Sequence, residues 1–167
     1  GTLFFVANDG ERGAELWKSD GTSSGTILVR DITPGGAGSN PRYLTGMNGS
    51  LFFVTYSSLW KSDGTAAGTV LVKAIGTSSV RELTVVNGTL FIRTGDELWK
   101  SDGTAAGTVF IKAFDTNSLR GFVGIGDTLF LSAGEDRANI ELCKSDGTPI
   151  GTVMVADINH AGSSRPE

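Results

Sequence analysis

The chain has 167 residues, a formal charge of −4, 24 glycines, one cysteine and one histidine. The single cysteine excludes an internal disulfide and a multi-thiolate zinc site, and the single histidine excludes a multi-histidine metal centre. The acidic balance argues against nucleic acid or an anionic membrane surface as partner, and no stretch approaches the ~20 apolar residues of a membrane-spanning helix.

Taken in chain order, the sequence opens on GTLFFV (1–6), which reads as a strand. The polar loop ANDGERGAE (7–15), the short strand ELWKS (15–19), the turn DGTSSGT (20–26) and the strand ILVRDI (27–32) follow. The linker DITPGGAGSNP (31–41) leads into YLTGM (43–47), SLFFV (50–54), SLWKS (58–62), a second DGT turn and VLVKAI (70–75). ELTVV (82–86), TLFIR (89–93), ELWKS (97–101) and TVFIK (108–112) then make the clearest set of four strands. The last set is GFVGI (121–125), TLFLS (128–132), ELCKS (141–145) and VMVADI (153–158), ending in the linker DINHAGSSRP (157–166).

The same motif therefore occurs four times, aligned on Asp20, Asp63, Asp102 and Asp146 with spacings of 43, 39 and 44 residues. Repeat units fall at approximately 1–40, 41–79, 80–118 and 119–167. Asn48-Gly49 and Asn87-Gly88 join the first two strands of their units, and Asn-Gly signals a type I′ hairpin because both central residues take positive φ. Asn-Gly-Ser and Asn-Gly-Thr are also glycosylation sequons, but the hairpin already explains the asparagine. The TLFF strands are apolar on consecutive residues, so both of their faces are expected to be covered. A four-stranded antiparallel unit of this period, covered on both faces, is a propeller blade. The fold expected is all-β: a β-propeller-type array of about four blades forming one repeat domain. A sandwich offers no reason for the repeated motif, and a solenoid coil is usually shorter.

Asp20, Asp63, Asp102 and Asp146 sit where a turn between the third and fourth strands needs a local acceptor for backbone N–H groups, and the flanking threonine hydroxyls serve the same turn. Four identical copies argue for architecture over chemistry. Trp17, Trp60 and Trp99 share one repeat position, replaced by Cys143 in the fourth unit. Packing between blades, with the indole N–H on a backbone partner, is the expected role; a ring of sugar-binding platforms is the rival. Cys143 is expected to be a smaller, buried and inert substitute.

The units differ in their loops. The long loops of the first and fourth collect Asp9, Glu11 and Glu15, and Glu135, Asp136 and Glu141, which are the candidate ligand-binding residues. Calcium prefers several such oxygens, although neither loop matches an EF-hand. Asp31 and Asp157, ahead of the Gly-rich linkers, suit Asx turns. His160 has only Ser163 and Ser164 beside it, which read as linker. No G-x-S-x-G, P-loop or dinucleotide fingerprint is present, so no enzyme activity is expected.

The strings SLWKSDGTAAGTVLVK (58–73) and ELWKSDGTAAGTVFIK (97–112), together with NGSLFF (48–53), NGTLFI (87–92) and the G-x-ELW at 13–17 and 95–99, resemble the ELW-SDGT-AGT repeats of large bacterial secreted and surface proteins. The resemblance covers essentially the whole chain. It implies a propeller built from these repeats and an extracellular or cell-surface, non-catalytic role. The turn is also similar, more loosely, to the Asp-box of sialidases; since Asp directly follows Ser and Trp precedes the turn, only the turn's function carries over.

The first unit lacks its first strand and the C-terminal AGSSRPE corresponds to AGSNPRY, so continuation into further blades, or self-association of two copies into an eight-bladed ring, is expected. The function expected is a structural, adhesion or binding module with protein or glycan surface partners. The alternatives are a lectin-like glycan binder, assisted by calcium, and an enzyme domain whose site lies outside this segment.

Overall fold

The computed structural model describes residues 1–76, 79–115, 117–134 and 139–166. Its regular elements are strands: β1 (Leu3–Asn8), β2 (Ala14–Ser19), β3 (Ile27–Arg30), β4 (Arg42–Met47), β5 (Ser50–Thr55), β6 (Ser58–Ser62) and β7 (Val70–Ala74). They continue as β8 (Val80–Val86), β9 (Thr89–Thr94), β10 (Glu97–Ser101), β11 (Val109–Ala113), β12 (Arg120–Ile125), β13 (Thr128–Ala133), β14 (Glu141–Ser145) and β15 (Val153–Ala156). Among the described residues, no helix is long and apolar enough to cross a membrane.

The strands form one three-stranded sheet, β1-β2-β3, and three four-stranded sheets, β4 to β7, β8 to β11 and β12 to β15. All are antiparallel and pair neighbours in sequence. This is the all-β, blade-type architecture expected from the repeats. The chain divides into two compact units, residues 1–75 and 76–167, each holding two blades.

The hairpins follow the turn chemistry. Asn48 and Gly49 have φ of 50° and 77°, and Asn87 and Gly88 have 43° and 72°. Both central residues are left-handed, as a type I′ turn requires. In the fourth blade the loop is Gly126-Asp127, with φ of 58° at the glycine alone among the two, the pattern of a type II′ turn.

A register shift recurs at one place in every blade: between Leu16 and Trp17, Leu59 and Trp60, Leu98 and Trp99, and Leu142 and Cys143. The extra residue is on the fourth strand each time (Val29, Val72, Ile111 and Val155), and a bulge there bends that strand and increases its twist. The repeated Leu before it is fully buried in the first three blades.

The consecutive apolar residues are covered as expected in β5 and β9, where Phe52, Phe53, Val54, Leu90, Phe91 and Ile92 are buried. In β1, Leu3 and Val6 are exposed, because β1 is the edge of its sheet. In the first unit, Leu16 and Val29 of one blade and Phe53 of the next form a core against which Ile32, Leu51 and Trp60 pack. In the second unit the core holds Leu98, Ile111, Phe122, Leu129, Leu131 and Cys143.

Replacing Gly88 by Ala puts a side chain on a residue with φ of 72°. The expected loss is roughly 1–2 kcal/mol in urea unfolding. Gly46→Ala, at a site with no atom within 4 Å of an added Cβ, is expected to change stability by less than about 0.5 kcal/mol.

Candidate functional site: repeated turns, linker clamps and two clefts

The SDGT turn is built the same way four times. In the second blade, Asp63 Oδ1 accepts the Thr65 N–H at 2.8 Å and the Thr65 hydroxyl at 2.7 Å. Gly68 N–H donates to Thr65 Oγ1 at 2.9 Å, and the Thr69 hydroxyl donates to the Thr65 carbonyl at 2.7 Å. Ser62 Oγ accepts the Gly64 N–H at 3.0 Å and lies 2.7 Å from Thr69 Oγ1. The turns at Asp20, Asp102 and Asp146 repeat the Asp-to-Thr bonds within 0.1 Å.

The two glycines of the motif answer different demands. Gly64 takes φ of 88°, and a Cβ there would also meet the Phe4 ring at 3.2 Å. Gly68 is needed for space: a Cβ would overlap the Asp63 carboxylate, and the same holds at Gly25, Gly107 and Gly151.

In the first and third blades the lysine that precedes SDGT has a role that its place in the sequence did not reveal. In the first unit, Lys18 Nζ donates to the Gly64 carbonyl of the next blade's turn at 2.8 Å. In the second unit, the aliphatic stem of Lys100 lies beside Gly147 of the fourth blade's turn. Arg30 adds a second tie, donating from Nη1 to the Thr69 carbonyl at 2.5 Å. In the second and fourth blades the turn is therefore both a hairpin closure and a socket for the preceding blade.

Hydrogen bonds to the charged form lower the carboxyl pKa of Asp20, Asp63 and Asp146. In each, the threonine hydroxyl is the main cause, followed by the threonine N–H.

Among the described residues, the candidate acids of each loop take separate roles. Glu15 and Glu141 belong to the third-strand position of the motif, not to the loops, and both are fully buried. Glu15 accepts N–H bonds from Ile32 at 3.3 Å, Thr33 at 3.2 Å and Ser39 at 2.8 Å, and the Ser39 hydroxyl. Glu141 accepts the N–H groups of Ile158 at 3.2 Å and Ser164 at 2.8 Å, and the Ser164 hydroxyl. Each thus clamps the long linker that leaves its blade. Burial alone would raise the Glu141 carboxyl, but the Ser164 hydroxyl and N–H, then the Ile158 and Asn159 N–H groups, outweigh it and hold it low.

Asp9 and Glu11 stay on the loop, but they gather around a cation of the chain itself. Arg12 lies 2.5 Å from Asp9, 3.8 Å from Glu11 and 4.0 Å from Asp31. The Arg12 and Glu11 N–H groups, helped by the guanidinium against some burial, lower the Asp9 carboxyl to about 2. Glu135 and Asp136 lie outside the described residues. Among the described residues, no group of three His, Cys, Asp or Glu side chains is placed to hold a metal. The Asx turns expected at Asp31 and Asp157 are replaced by side-chain pairs, Asp31 with Arg12 and Asp157 with His160 at 3.3 Å.

The tryptophans are half-buried and do not take backbone partners. Trp99 Nε1 donates to the Glu97 carboxylate at 3.0 Å and its ring meets Phe110 edge-on at 5.6 Å. Trp60 stacks near Phe53 at 6.4 Å. The Nε1 atoms of Trp17 and Trp60 are buried without a partner. Side chains two apart on a strand share a face. The residue two before Trp17 is Glu15, turned to the linker, and the one before Trp60 is Ser58, which is too short. Cys143 is buried, with its thiol 3.5 Å from the Ala133 carbonyl.

Two clefts lie in the second unit. One, of about 320 Å³, is lined by Arg81, Arg93, Arg120, Asp96 and Asn117. Arg93 Nη1 donates to the Leu119 carbonyl at 2.6 Å, while its Nε is buried without a partner. The other, of about 190 Å³, lies beside Cys143.

No family model and no curated protein matches the chain. Among solved structures it is similar to a chain of a nidogen/laminin complex, with a TM-score of 0.57 and 13% identity over 97% of this chain and 64% of that one. It is also similar to puromycin hydrolase, with 0.59 and 15% over 99% of this chain and 28% of that one. A streptogramin B lyase follows, with 0.55 and 15% over 90% and 56%. The chain thus spans less than two thirds of each of these proteins. The likeness is one of fold, and the fold is of the β-propeller type.

Two outcomes follow from the turn and the clamps. Gly68→Ala is expected to lose roughly 1–3 kcal/mol by forcing the Asp63 carboxylate aside, whereas Ala66→Ser at the exposed tip changes urea stability by less than about 0.5 kcal/mol. The lowered carboxyls of Asp20, Asp63, Asp146 and Glu141 stabilise the fold above their unfolded values, and that stability is lost as pH falls through the lower folded values. Urea midpoints are expected to be flat near neutrality and to drop below about pH 4. Glu141→Gln should lower the neutral midpoint and flatten the acid limb.

Proposed function

We propose that this chain is a non-catalytic extracellular module, structural or adhesive, made of propeller blades. One observation supports the reading above others: the repeated chemistry-bearing groups are engaged by the fold itself. The SDGT acids and hydroxyls close their own turns, and Glu15 and Glu141 hold their own linkers. The resemblance to ELW-SDGT-AGT repeats of bacterial secreted and surface proteins points the same way. In this reading the blades act as a rigid frame, and partners meet the variable loops and tips.

A glycan-binding role is a second reading, and the arginine cleft favours it. Three guanidiniums lining one cleft suit an acidic saccharide, since arginine binds carboxylate and sulfate in a planar, two-pronged way. Calcium assistance has weaker support, because Glu15 and Glu141 already have full sets of N–H and O–H donors.

The deciding measurement is a glycan-array screen of the purified chain, with calcium and with chelator, on arrays that include uronate and sulfated glycans. The structural reading expects no specific binding and an unchanged melting temperature in chelator. Chelator-resistant binding of acidic glycans, lost in Arg93→Gln, would replace it with the second reading.

A further inference from the structure

Each unit shows how one blade docks on the next. A phenylalanine and a lysine paired across neighbouring strands, Phe4 with Lys18 and Phe91 with Lys100, meet the turn of the following blade together. Lys18 Nζ donates to the Gly64 carbonyl at 2.8 Å, and the Phe4 ring lies 3.2 Å from where a Gly64 Cβ would stand. Phe91 and the Lys100 stem stand against Gly147 in the same way. Val29 and Ile111 on the docking side are 5% and 3% exposed. Each shares a core with a buried residue of the receiving blade, Phe53 or Leu131.

The same parts recur uncovered, the docking side in the fourth blade and the receiving side in the first. In the fourth blade the pair is Phe130 with Lys144, and Lys144 is exposed. Val155 and Ile158, the counterparts of Val29 and Ile32, are 46% and 58% exposed. In the first blade the receiving turn is at Gly21, which is exposed, with no described atom within 4 Å of an added Cβ. Gly64 and Gly147 are buried. Leu3 pairs with Ser19 as the buried Leu129 pairs with Ser145, yet it is 63% exposed.

We propose that the fourth blade of one copy docks on the first blade of a second copy, with Lys144 and Phe130 seated on the Gly21 turn as Lys18 and Phe4 sit on Gly64. The occupant follows from continuity with the docking already present within each unit. The open turn has the shape of the filled ones, since φ is 95° at Gly21, 88° at Gly64 and 84° at Gly147. Covering Val155, Ile158 and Leu3 removes apolar surface from water, which drives association. Arg30 has Ala156 as its counterpart, so the lysine and the apolar residues carry the contact without the second tie seen at Thr69. The contact is heterologous, because one face meets a different face. Two copies of four blades, each docked on the other, stay within the four to eight blades that propellers adopt.

The test is sedimentation of the full chain between about 1 and 100 μM. A dimer, or a concentration-dependent series of head-to-tail oligomers, is expected. Leu3→Glu and Val155→Glu each put an unpaired charge in the contact and are expected to weaken association at least about tenfold. Circular dichroism should not change, because both side chains are exposed in the single chain. Mixing the two variants restores one intact contact, the fourth blade of the Leu3→Glu copy on the first blade of the Val155→Glu copy, and association is expected to return. Lys144→Glu takes the place of Val155→Glu if that variant does not fold. A chain that stays monomeric at the highest concentration overturns the proposal. So does association that survives either substitution at full strength, or a mixture of folded variants that does not associate.

Discussion

The structure depends on one arrangement of hydrogen bonds, the carboxylate of the SDGT aspartate held against the threonine two residues on. That contact orients the threonine hydroxyl towards the second glycine, and the second threonine returns to the first one's carbonyl. The turn is thus closed without any partner outside the motif. Its outer surface remains exposed, while Ser62, Thr69, Ser101, Thr108, Ser145 and Thr152 are buried beneath it. A buried hydroxyl is costly unless bonded, and here each serine and threonine pair bonds to itself.

Because the turn is rigid, it can also serve as a socket. Lys18 reaches the Gly64 carbonyl, and Phe4 packs under the same glycine. Lys100 and Phe91 stand in the same relation to Gly147. Within each unit one blade is therefore docked on the next by residues of the repeat itself. The carboxylate clamps act at a different level. Glu15 and Glu141 gather the N–H groups of linkers that would otherwise be irregular backbone, and each is buried with its partners in place. A carboxylate in that setting is retained as an acceptor for several donors and has little freedom to serve an added ion.

The same economy separates the repeated positions from the sites open to a ligand. At the SDGT turns, which recur in every blade, side chains satisfy one another, whereas the repeated tryptophans of the first two blades keep a buried Nε1 without a partner. Where the repeats diverge, polar atoms and space are left over: the orphaned Nε of Arg93 in a cleft of arginines, and the volume beside Cys143. Both of these clefts lie in the second unit.

The blade order, the type I′ hairpins at Asn48-Gly49 and Asn87-Gly88, and the local role of the SDGT aspartates could be read from the residues, because each is decided within a few positions of chain. Consecutive apolar residues likewise announced the buried strands β5 and β9. The acids were misread for a physical reason. Glu15 and Glu141 look like loop carboxylates beside Asp9 and Glu11, yet their partners lie 17 to 24 residues away on a linker. Nothing in sequence order marks that contact. The tryptophan N–H groups were misplaced for the same kind of reason, since Trp99 has Glu97 on its face and Trp17 has lost Glu15 to the linker. Local turn chemistry is written into the motif. Which donor a buried carboxylate meets, and which side chains line a cleft, depends on what the fold brings alongside, and this emerges only when the blades are packed.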